Sequence, residues 1–265
     1  MSDKELNWDA ELYQGSSAPQ YKLGLMTIDR LKPVDKENIL EIGPGNAMLT
    51  IDIARKIPNG TITAIEISQD MVEQARSNID KFGIKNINII NMDSIDINYE
   101  NEFDAVFSNS AIHWVKNLEL MYKLLYKALK PNGRITFQTG LKVEGEYGQF
   151  FKIFLKLVRV KEFREYFKEI TVPWRFITEQ DNYKILKNTG FRNIKVEPYD
   201  YRYKFNNEQD LMNYNVAAGL VPFLSHVPEK LKTEVIERFK EIWFKVNKEN
   251  PLEVRTTRAF IRAVK

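Results

Sequence analysis

The segment ILEIGPGNAMLT, Ile39 to Thr50, holds most of the information about the fold. An apolar run that contains the acidic residue Glu41 leads into a turn with two glycines, Gly43 and Gly45, and then into a helix-like stretch. A glycine-rich turn between a strand and a helix is typical of sites for nucleotide-like ligands, because glycine lets the backbone approach a ligand closely. The pattern therefore predicts a ligand site at this turn.

Two phosphate-binding motifs do not fit the turn. The dinucleotide fingerprint G-x-G-x-x-G needs a third glycine where Met48 stands, and the methionine side chain would obstruct the close packing that glycine permits. A P-loop ends in lysine followed by serine or threonine, and GPGNAMLT contains no such pair. The expected ligand is therefore one that does not depend on a phosphate cradle.

Strand-like and helix-like segments alternate around this turn. Five short apolar or β-branched runs lie between residues 38 and 139, namely NILEIG, TITAIEI, INIIN, FDAVFSN and RITFQTG. Amphipathic stretches separate them at Ala47–Lys56, at Gln69–Phe82 with Ser68 as N-cap, and at Leu118–Lys130. The motif PNG, at 58–60 and again at 131–133, is expected to end a helix before a strand. The alternation predicts an α/β fold with a doubly wound, mostly parallel sheet.

We expect residues 1–265 to form a single domain around this sheet. Its parts in chain order are a lead-in helix in 1–32, a cofactor-binding core in 33–140, helical insertions at 145–172 and 207–250, and returns to the sheet at 174–205 and 255–265. The insertions are expected to cap the sheet edge where ligands bind. On the lead-in helix, Tyr13, Tyr21 and Leu25 are the expected buried face.

The first insertion contains an aromatic stripe that has three interpretations. Phe150, Phe151, Phe154 and Leu157 are spaced either to line an apolar substrate pocket or to form the buried face of an amphipathic helix. A helix lying on a membrane surface is the third interpretation. We favour a cap helix.

Composition excludes several classes of site. The sequence has no cysteine, which rules out disulfides, thiolate metal sites and cysteine nucleophiles, and its two histidines make a His-rich metal centre improbable. The 39 Lys and Arg residues and 36 Asp and Glu residues are interspersed, whereas a nucleic-acid binder more often has a basic stripe. No signal peptide or membrane-spanning run is evident, so a cytoplasmic protein without metal or nucleic acid is predicted.

The glycine turn resembles the first motif of the class I S-adenosylmethionine-dependent methyltransferases, acidic-x-G-x-G-x-G. Glu41, Gly43 and Gly45 match this motif, and Ala47 replaces the third glycine. The ligand of that family carries an amino-acid tail and a sulfonium cation but no phosphate. It therefore requires close backbone approach and nearby negative charge, which this turn offers.

Two further motifs of the family follow the second and third strands. The resemblance implies that Glu66, at the end of TAIEIS, accepts hydrogen bonds from both ribose hydroxyls, and that Asp93 in NMDSI accepts one from the adenine amino group. Ile67 and Met92 would flank the adenine ring, and Ser94 belongs to the same cofactor-binding set. Without the resemblance, Glu66 is equally well a solvated strand end, and Asp93 the N-cap of a short turn.

The fourth strand and the turn before the fifth complete the resemblance. In FSNSAIHW the backbone of Asn109 would face the methionine moiety, and LKPNGRI is similar to the family's Pro-Gly-Gly turn with Asn132 in place of one glycine. Four motifs in order over roughly 100 residues are a specific signal. They imply a Rossmann-like seven-stranded sheet whose last strand, near 257–264, is antiparallel, with S-adenosylmethionine as cofactor.

Three segments resemble the trans-aconitate and juvenile hormone acid methyltransferases, which methylate carboxylates of small molecules. These segments are LYQGSSAPQ, IHWV and NVAAGLVPFLSHVPEKL. In that group a glutamine on the lead-in helix and a tryptophan after the fourth strand hold the substrate carboxylate, and these roles would belong to Gln20 and Trp114. Both side chains carry N–H donors, as an anionic oxygen requires. Tyr13, Ser17 and Tyr21 are further candidates for substrate binding.

Other interpretations of these residues remain open. Trp114 is also explained as a core aromatic residue, and Gln20 as an exposed helix residue. His113 is a candidate base for a methyltransferase that acts on an amine, a hydroxyl or a carbon. A non-catalytic binding protein with the same fold is a further alternative. The expected partner is a small organic acid, and the expected assembly is a monomer or a homodimer.

Overall fold

The computed structural model describes residues 18–146 and 148–265, and they belong to two compact units. The sheet unit comprises residues 18–142, 174–199 and 258–265. The helical unit contains residues 143–173 and 200–257, which enclose the two predicted insertions. The single domain and the role of the insertions as a cap stay predictions.

The strands form one seven-stranded sheet in the order β3-β2-β1-β4-β5-β7-β6. They are β1 (Asn38–Ile42), β2 (Thr61–Glu66), β3 (Ile87–Asn91), β4 (Phe103–Asn109), β5 (Leu129–Gly140), β6 (Arg192–Lys204) and β7 (Glu253–Val264). Strands β1 to β5 pair in parallel, whereas β7 runs antiparallel to β5. The Rossmann-like α/β fold with an antiparallel last strand is therefore confirmed.

Helices surround the strands of the sheet unit. They are α1 (Ala18–Leu31), α2 (Met48–Lys56), α3 (Gln69–Lys81), α4 (Leu118–Ala128) and α6 (Glu179–Thr189), whereas α5 (Gln149–Leu157) belongs to the helical unit. Ser68 caps α3 as predicted, because its hydroxyl accepts a hydrogen bond from the Met71 amide at 3.4 Å. Ile39 and Leu40 belong to two different buried clusters, since neighbouring side chains of a strand point to opposite faces. Both faces of β1 are thus covered, as expected for a doubly wound sheet.

The second PNG motif does not end a helix as expected. Helix α4 already ends at Ala128, and residues 131–133 lie inside β5. Pairing with β4 passes from Leu129 directly to Arg134, so the motif forms a bulge in the strand. Asn132 has φ 65°, a conformation that asparagine tolerates better than most residues, and this explains how the motif remains within a strand.

The buried face of α1 differs from the prediction. Leu25 is 40% exposed, so its expected burial is wrong. Leu23, Thr27 and Ile28 are buried instead, and they follow the helical repeat on the opposite side. Tyr21 is half-buried, and its hydroxyl donates to Asp52 Oδ2 at 2.6 Å. Tyr13 lies outside the described residues.

The helical unit has a core of its own made of aromatic rings. Its helices are α5 (Gln149–Leu157), α7 (Glu208–Asn215), a π-helical turn (Val216–Leu220), α8 (Val221–Leu224) and α9 (Glu229–Val246). The Phe154 ring stacks on Phe223, with 4.1 Å between centroids, and Phe150 packs on Phe239. The aromatic stripe of α5 is thus the buried face of an amphipathic helix. None of the helices in the described part of the chain is long and apolar enough to cross a membrane.

Candidate functional site

The predicted site residues lie where the parallel strands end. Glu66 is the last residue of β2 and pairs with Asn91 of β3, and Asn109 is the last residue of β4 and pairs with Gln138 of β5. Because parallel strands end at the same edge, these positions share the carboxyl edge of the sheet, where doubly wound folds bind ligands. The antiparallel β7 contributes Arg258, which pairs with Gly140 at this edge.

The glycine turn that follows β1 has three residues in the left-handed region. Gly43, Gly45 and Ala47 have φ of 69°, 55° and 62°. A Cβ on Gly43 would lie 2.3 Å from the Ala111 Cβ, so the turn packs closely against the segment after β4, whereas a Cβ on Gly45 would meet nothing within 4 Å. Alanine at position 47 adopts the conformation for which the family uses glycine, at a cost of about 1–2 kcal/mol.

Glu66 holds this turn through hydrogen bonds to the backbone. Its Oε2 accepts from the Gly45 amide at 3.1 Å, and its Oε1 accepts from the Ser68 amide at 3.0 Å. Burial raises the pKa of the carboxyl group, and these backbone hydrogen bonds oppose that rise. Glu66 is therefore not a solvated strand end, and its carboxylate retains further lone pairs for a ligand's hydroxyl groups.

Glu41 is a buried carboxyl group at the base of the turn. Its Oε2 has no hydrogen-bond partner among the described residues. Burial raises its pKa to about 8, opposed by the Thr50 hydroxyl and reinforced by the charge of Glu66. An unsatisfied buried carboxyl group is costly, and a cationic ligand would relieve that cost. S-adenosylmethionine, which carries an ammonium and a sulfonium group, fits this requirement.

Asp93 forms a local turn at the end of β3. Its Oδ1 accepts from the Ile95 amide at 3.1 Å and from the Ser94 hydroxyl at 3.4 Å. Asp93 therefore caps a short turn, as expected without the family resemblance. Its role as the acceptor of a hydrogen bond from adenine stays a prediction. Beside it, the Met92 amide donates to the Glu66 carbonyl at 3.0 Å, and the Ile67 side chain is 66% exposed at the same edge. These apolar side chains are suitably placed to flank a ring.

Helix α1 is attached to the end of β4 through Gln20. The Asn109 Nδ2 donates to the Gln20 carbonyl at 3.1 Å, and the Thr27 hydroxyl lies 3.5 Å from Asn109 Oδ1. The Gln20 Oε1 is buried and without a hydrogen-bond partner in the described part of the chain. Gln20 is therefore not an exposed helix residue, and it lies close to the strand end that the resemblance assigns to the methionine moiety. Ser17 lies outside the described residues.

His113 and Trp114 form part of an aromatic cluster after β4. Both lie on a single 3₁₀ turn, Ile112–Trp114. The Trp114 ring meets Trp174 edge to face, with 5.5 Å between centroids, and His113 lies 5.1 Å from Phe176. The Arg175 amide donates to the His113 carbonyl at 2.7 Å, which attaches this second segment to the turn. Because Trp174 and Phe176 follow in a distant part of the sequence, inspection of local motifs did not identify them.

The surroundings of the His113 ring favour its uncharged form. Burial lowers its pKa well below 6.5, and the charge of Arg258 contributes in the same direction. Its Nδ1 lies 3.1 Å from the Thr139 hydroxyl, which can donate to it or accept from it according to the tautomer. A base with a lowered pKa accepts protons weakly, so this shift disfavours His113 as the general base.

Sequence inspection also missed residues that shape this edge. Asn78 on α3 is buried, and its Nδ2 donates to the Asn46 carbonyl at 2.9 Å, which fixes the glycine turn. Ser110, Gln138 and Arg258 form a polar cluster in which Arg258 Nη2 donates to Ser110 Oγ at 2.9 Å. Arg258 is buried, which is unusual for an arginine, but its burial depends on the pairing of β5 with β7 and no local motif indicates it.

The chain is similar to known methyltransferases in sequence and in fold. The model of the family described as "Methyltransferase domain" matches residues 33–190. The chain is 31% identical over 139 residues to a malonyl-(acyl-carrier protein) O-methyltransferase of Priestia megaterium, covering 51% of this chain and 50% of that protein. It is 25% identical over 250 residues to the enzyme of that name from Acetivibrio thermocellus, covering 90% of this chain and 85% of that protein.

A solved structure shares the fold at lower sequence identity. It is a Haemonchus contortus phosphoethanolamine N-methyltransferase 2 in complex with S-adenosyl-L-methionine, with a TM-score of 0.64 and 18% identity. The match covers 97% of this chain and 56% of that chain. At this identity the similarity concerns the fold alone.

Proposed function

The chain belongs to the methyltransferase domain family, and we propose that it transfers a methyl group from S-adenosylmethionine to a carboxylate of a small organic acid. It is a methyltransferase whose cofactor is S-adenosylmethionine. The observation that supports the proposal is the attachment of α1 to the end of β4, where Asn109 Nδ2 donates to the Gln20 carbonyl and the chain continues into the turn that bears Trp114. The small-acid substrate, a cytoplasmic location and a monomeric or homodimeric assembly are our proposals.

The residues of the sheet edge suit the cofactor. When bound, S-adenosylmethionine supplies an electrophilic methyl group on a sulfonium. Glu66 and the Gly43–Gly45 turn would hold its nucleoside end and its amino-acid tail, and the cationic ligand would favour ionisation of the buried Glu41 carboxyl group. Asp93, Ser94, Met92 and Ile67 would surround the adenine. The open space around Gly45 and the unsatisfied Glu41 carboxyl group support this placement.

A carboxylate acceptor fits the donors near the strand end. Amide and indole N–H groups bind an anionic oxygen without removing a proton, and a carboxylate is already ionised at pH 7. Transfer of the methyl group to a carboxylate oxygen would release no proton, so the chain's residues would have to bind and orient the acid but not deprotonate it. The protein's contribution is alignment and exclusion of water. The names of two relatives, O-methyltransferases of a malonyl group, agree with this chemistry.

The alternative acceptor is an amine, a hydroxyl or a carbon atom with His113 as base. The lowered pKa of His113 weakens this alternative, because proton abstraction from such groups needs a stronger base. A non-catalytic binding protein would not need donors arranged beside the cofactor. Both alternatives predict that no carboxylic acid is esterified.

Calorimetric titration with S-adenosylhomocysteine tests the cofactor site. We expect micromolar binding to the full chain and at least a hundredfold weaker binding to Glu66→Ala, which loses its hydrogen bonds to the turn. Glu73→Ala is the matched control, because Glu73 is an exposed residue on α3 that bonds only to Gln69 in the described structure. Equal affinities of Glu66→Ala and the wild-type protein would contradict the assignment.

A further inference from the structure

Ser110 begins the segment after β4 in a strained backbone conformation. Its φ is 57°, in the left-handed region that serine rarely adopts. Such strain is commonly found where a side chain must be directed to a functional position. Ser110 is half-buried and follows Asn109, which is bonded to Gln20, and precedes the turn that carries Trp114. Along the chain, Ser110 thus lies between the residue that binds α1 and the turn that bears Trp114.

Gln138 determines which groups donate and which accept in the polar cluster around Ser110. Its side chain satisfies every neighbour when its amide oxygen faces Arg258 and its nitrogen faces Ser110 and Asn109. The oxygen then accepts from Arg258 Nε at 2.6 Å, and the nitrogen donates to Ser110 Oγ at 2.8 Å and to Asn109 Oδ1 at 3.0 Å. Gln138 is fully buried, so these hydrogen bonds determine its orientation.

The Ser110 hydroxyl therefore receives two hydrogen bonds from the protein. Arg258 Nη2 donates to it at 2.9 Å, and the Gln138 nitrogen donates at 2.8 Å. A hydroxyl oxygen has two acceptor lone pairs and one hydrogen, so both lone pairs are used and the hydrogen remains for donation. Arg258 is only 9% exposed, and its charge makes this hydroxyl a stronger donor.

We propose that Ser110 donates its hydroxyl hydrogen to the acceptor's carboxylate, and that Arg258 and Gln138 are positioning residues that force it to act as a donor. The inference rests on the proposed function and adds a substrate-binding residue to it. An anionic acceptor suits the cluster because a donor polarised by a guanidinium binds a carboxylate better than a neutral or cationic group. The site thereby selects ionised acids over amines.

Steady-state kinetics with Ser110→Ala test the proposal. The acceptors are octanoate, succinate and malonyl-N-acetylcysteamine, and the wild-type protein defines which of them is esterified. We expect Ser110→Ala to raise KM for that acid about tenfold, as the loss of one hydrogen bond to a charged group implies, with kcat changed less than about threefold. The Kd for S-adenosylhomocysteine should stay within about twofold of the wild-type value.

Variants of Arg258 test the positioning role. Arg258→Gln should raise KM like Ser110→Ala, whereas Arg258→Lys retains the charge and should restore part of the affinity. NMR titration gives an independent readout, because Arg258→Gln should raise the pKa of His113 while Ser110→Ala leaves it unchanged. The exposed His226 is the internal reference. Arg262→Gln is the matched control, since Arg262 lies on the same strand but pairs with Glu197.

Three results would overturn the inference. An unchanged KM in folded Ser110→Ala would show that the hydroxyl does not bind the acid. A weakened Kd for S-adenosylhomocysteine with an unchanged KM would assign the cluster to the cofactor. If the wild-type protein binds S-adenosylhomocysteine and esterifies none of the acids, the proposed function fails and this inference fails with it. Should Arg258→Gln not fold, Ser110→Ala alone decides, because it removes only one half-buried oxygen atom.

Discussion

Single residues of this site differ in how far the sequence predicts them. Glu41, Gly43, Gly45 and Glu66 were identified because their spacing within local motifs is itself informative, and the structure joins Glu66 directly to Gly45. The polar cluster was not identified, because Gln138 and Arg258 lie 120 residues apart and meet only through the pairing of β5 with β7. Chemistry that depends on strand register is not visible in a local pattern.

The buried carboxyl group of Glu41 predicts an unusual pH dependence of stability. Its pKa is about 8 in the folded protein against an ordinary value of 4.5, so the folded state holds a proton that the unfolded chain releases. Its contribution to stability is therefore fully present below pH 4.5 and is lost as the pH rises to about 8. In Glu41→Gln, the free energy of unfolding should fall less between pH 5 and pH 8 than in the wild-type protein.

Urea titrations at pH 5 and pH 8, without cofactor, measure this difference. Comparing the free energies of unfolding of one protein at the two pH values removes any effect of the substitution that does not depend on pH. Glu73→Gln provides a surface control. Identical changes in the free energy of unfolding in wild-type and Glu41→Gln proteins would show that Glu41 is ionised in the folded state.

At the scale of elements, the glycine turn combines two different demands. Gly43 needs a left-handed backbone and close contact with Ala111, whereas Gly45 needs only the backbone conformation. We expect Gly43→Ala to lower the free energy of unfolding by about 2–4 kcal/mol, from strain and steric overlap together. Gly45→Ala should cost about 1–2 kcal/mol from strain alone.

Gly45→Ala should have the smaller effect on the free energy of unfolding but the larger effect on cofactor affinity relative to that loss of stability. A methyl group on Gly45 enters open space beside Glu66, where the cofactor is proposed to bind, so the affinity for S-adenosylhomocysteine should fall more than the stability loss explains. Urea denaturation and calorimetry on both variants measure this. Equal losses of stability would contradict the close packing of Gly43.

Elements were predicted more reliably where one pattern dominates. The apolar strands β1 to β4 and the cap of α3 follow the expected bounds closely, because burial on both faces leaves a continuous apolar run. The predictions that the second PNG motif ends a helix and that Leu25 is buried were wrong. Strand pairing keeps Asn132 within β5, and packing buries the other face of α1. Local preference is decisive only when packing agrees with it.

At the scale of the whole molecule, the cofactor and the acceptor are proposed to bind at one edge of the sheet unit. We propose that strand ends hold S-adenosylmethionine through their carboxylates and glycines, and that Gln20 on α1, the Ile112–Trp114 turn and the Ser110 cluster bind the anionic acceptor. The proposed reaction needs no base, metal or covalent intermediate. Its product, a methyl ester, is chemically distinct from the product of every alternative acceptor considered.

The most direct measurement is the alkali stability of the transferred methyl group. The full chain is incubated with S-adenosylmethionine labelled in its methyl group and with octanoate, succinate or malonyl-N-acetylcysteamine, and the labelled product is then treated with mild alkali. We expect a labelled product that releases volatile methanol, because methyl esters hydrolyse under these conditions. A labelled product that withstands alkali would contradict this expectation, since N-methyl, ether and C-methyl groups do not hydrolyse.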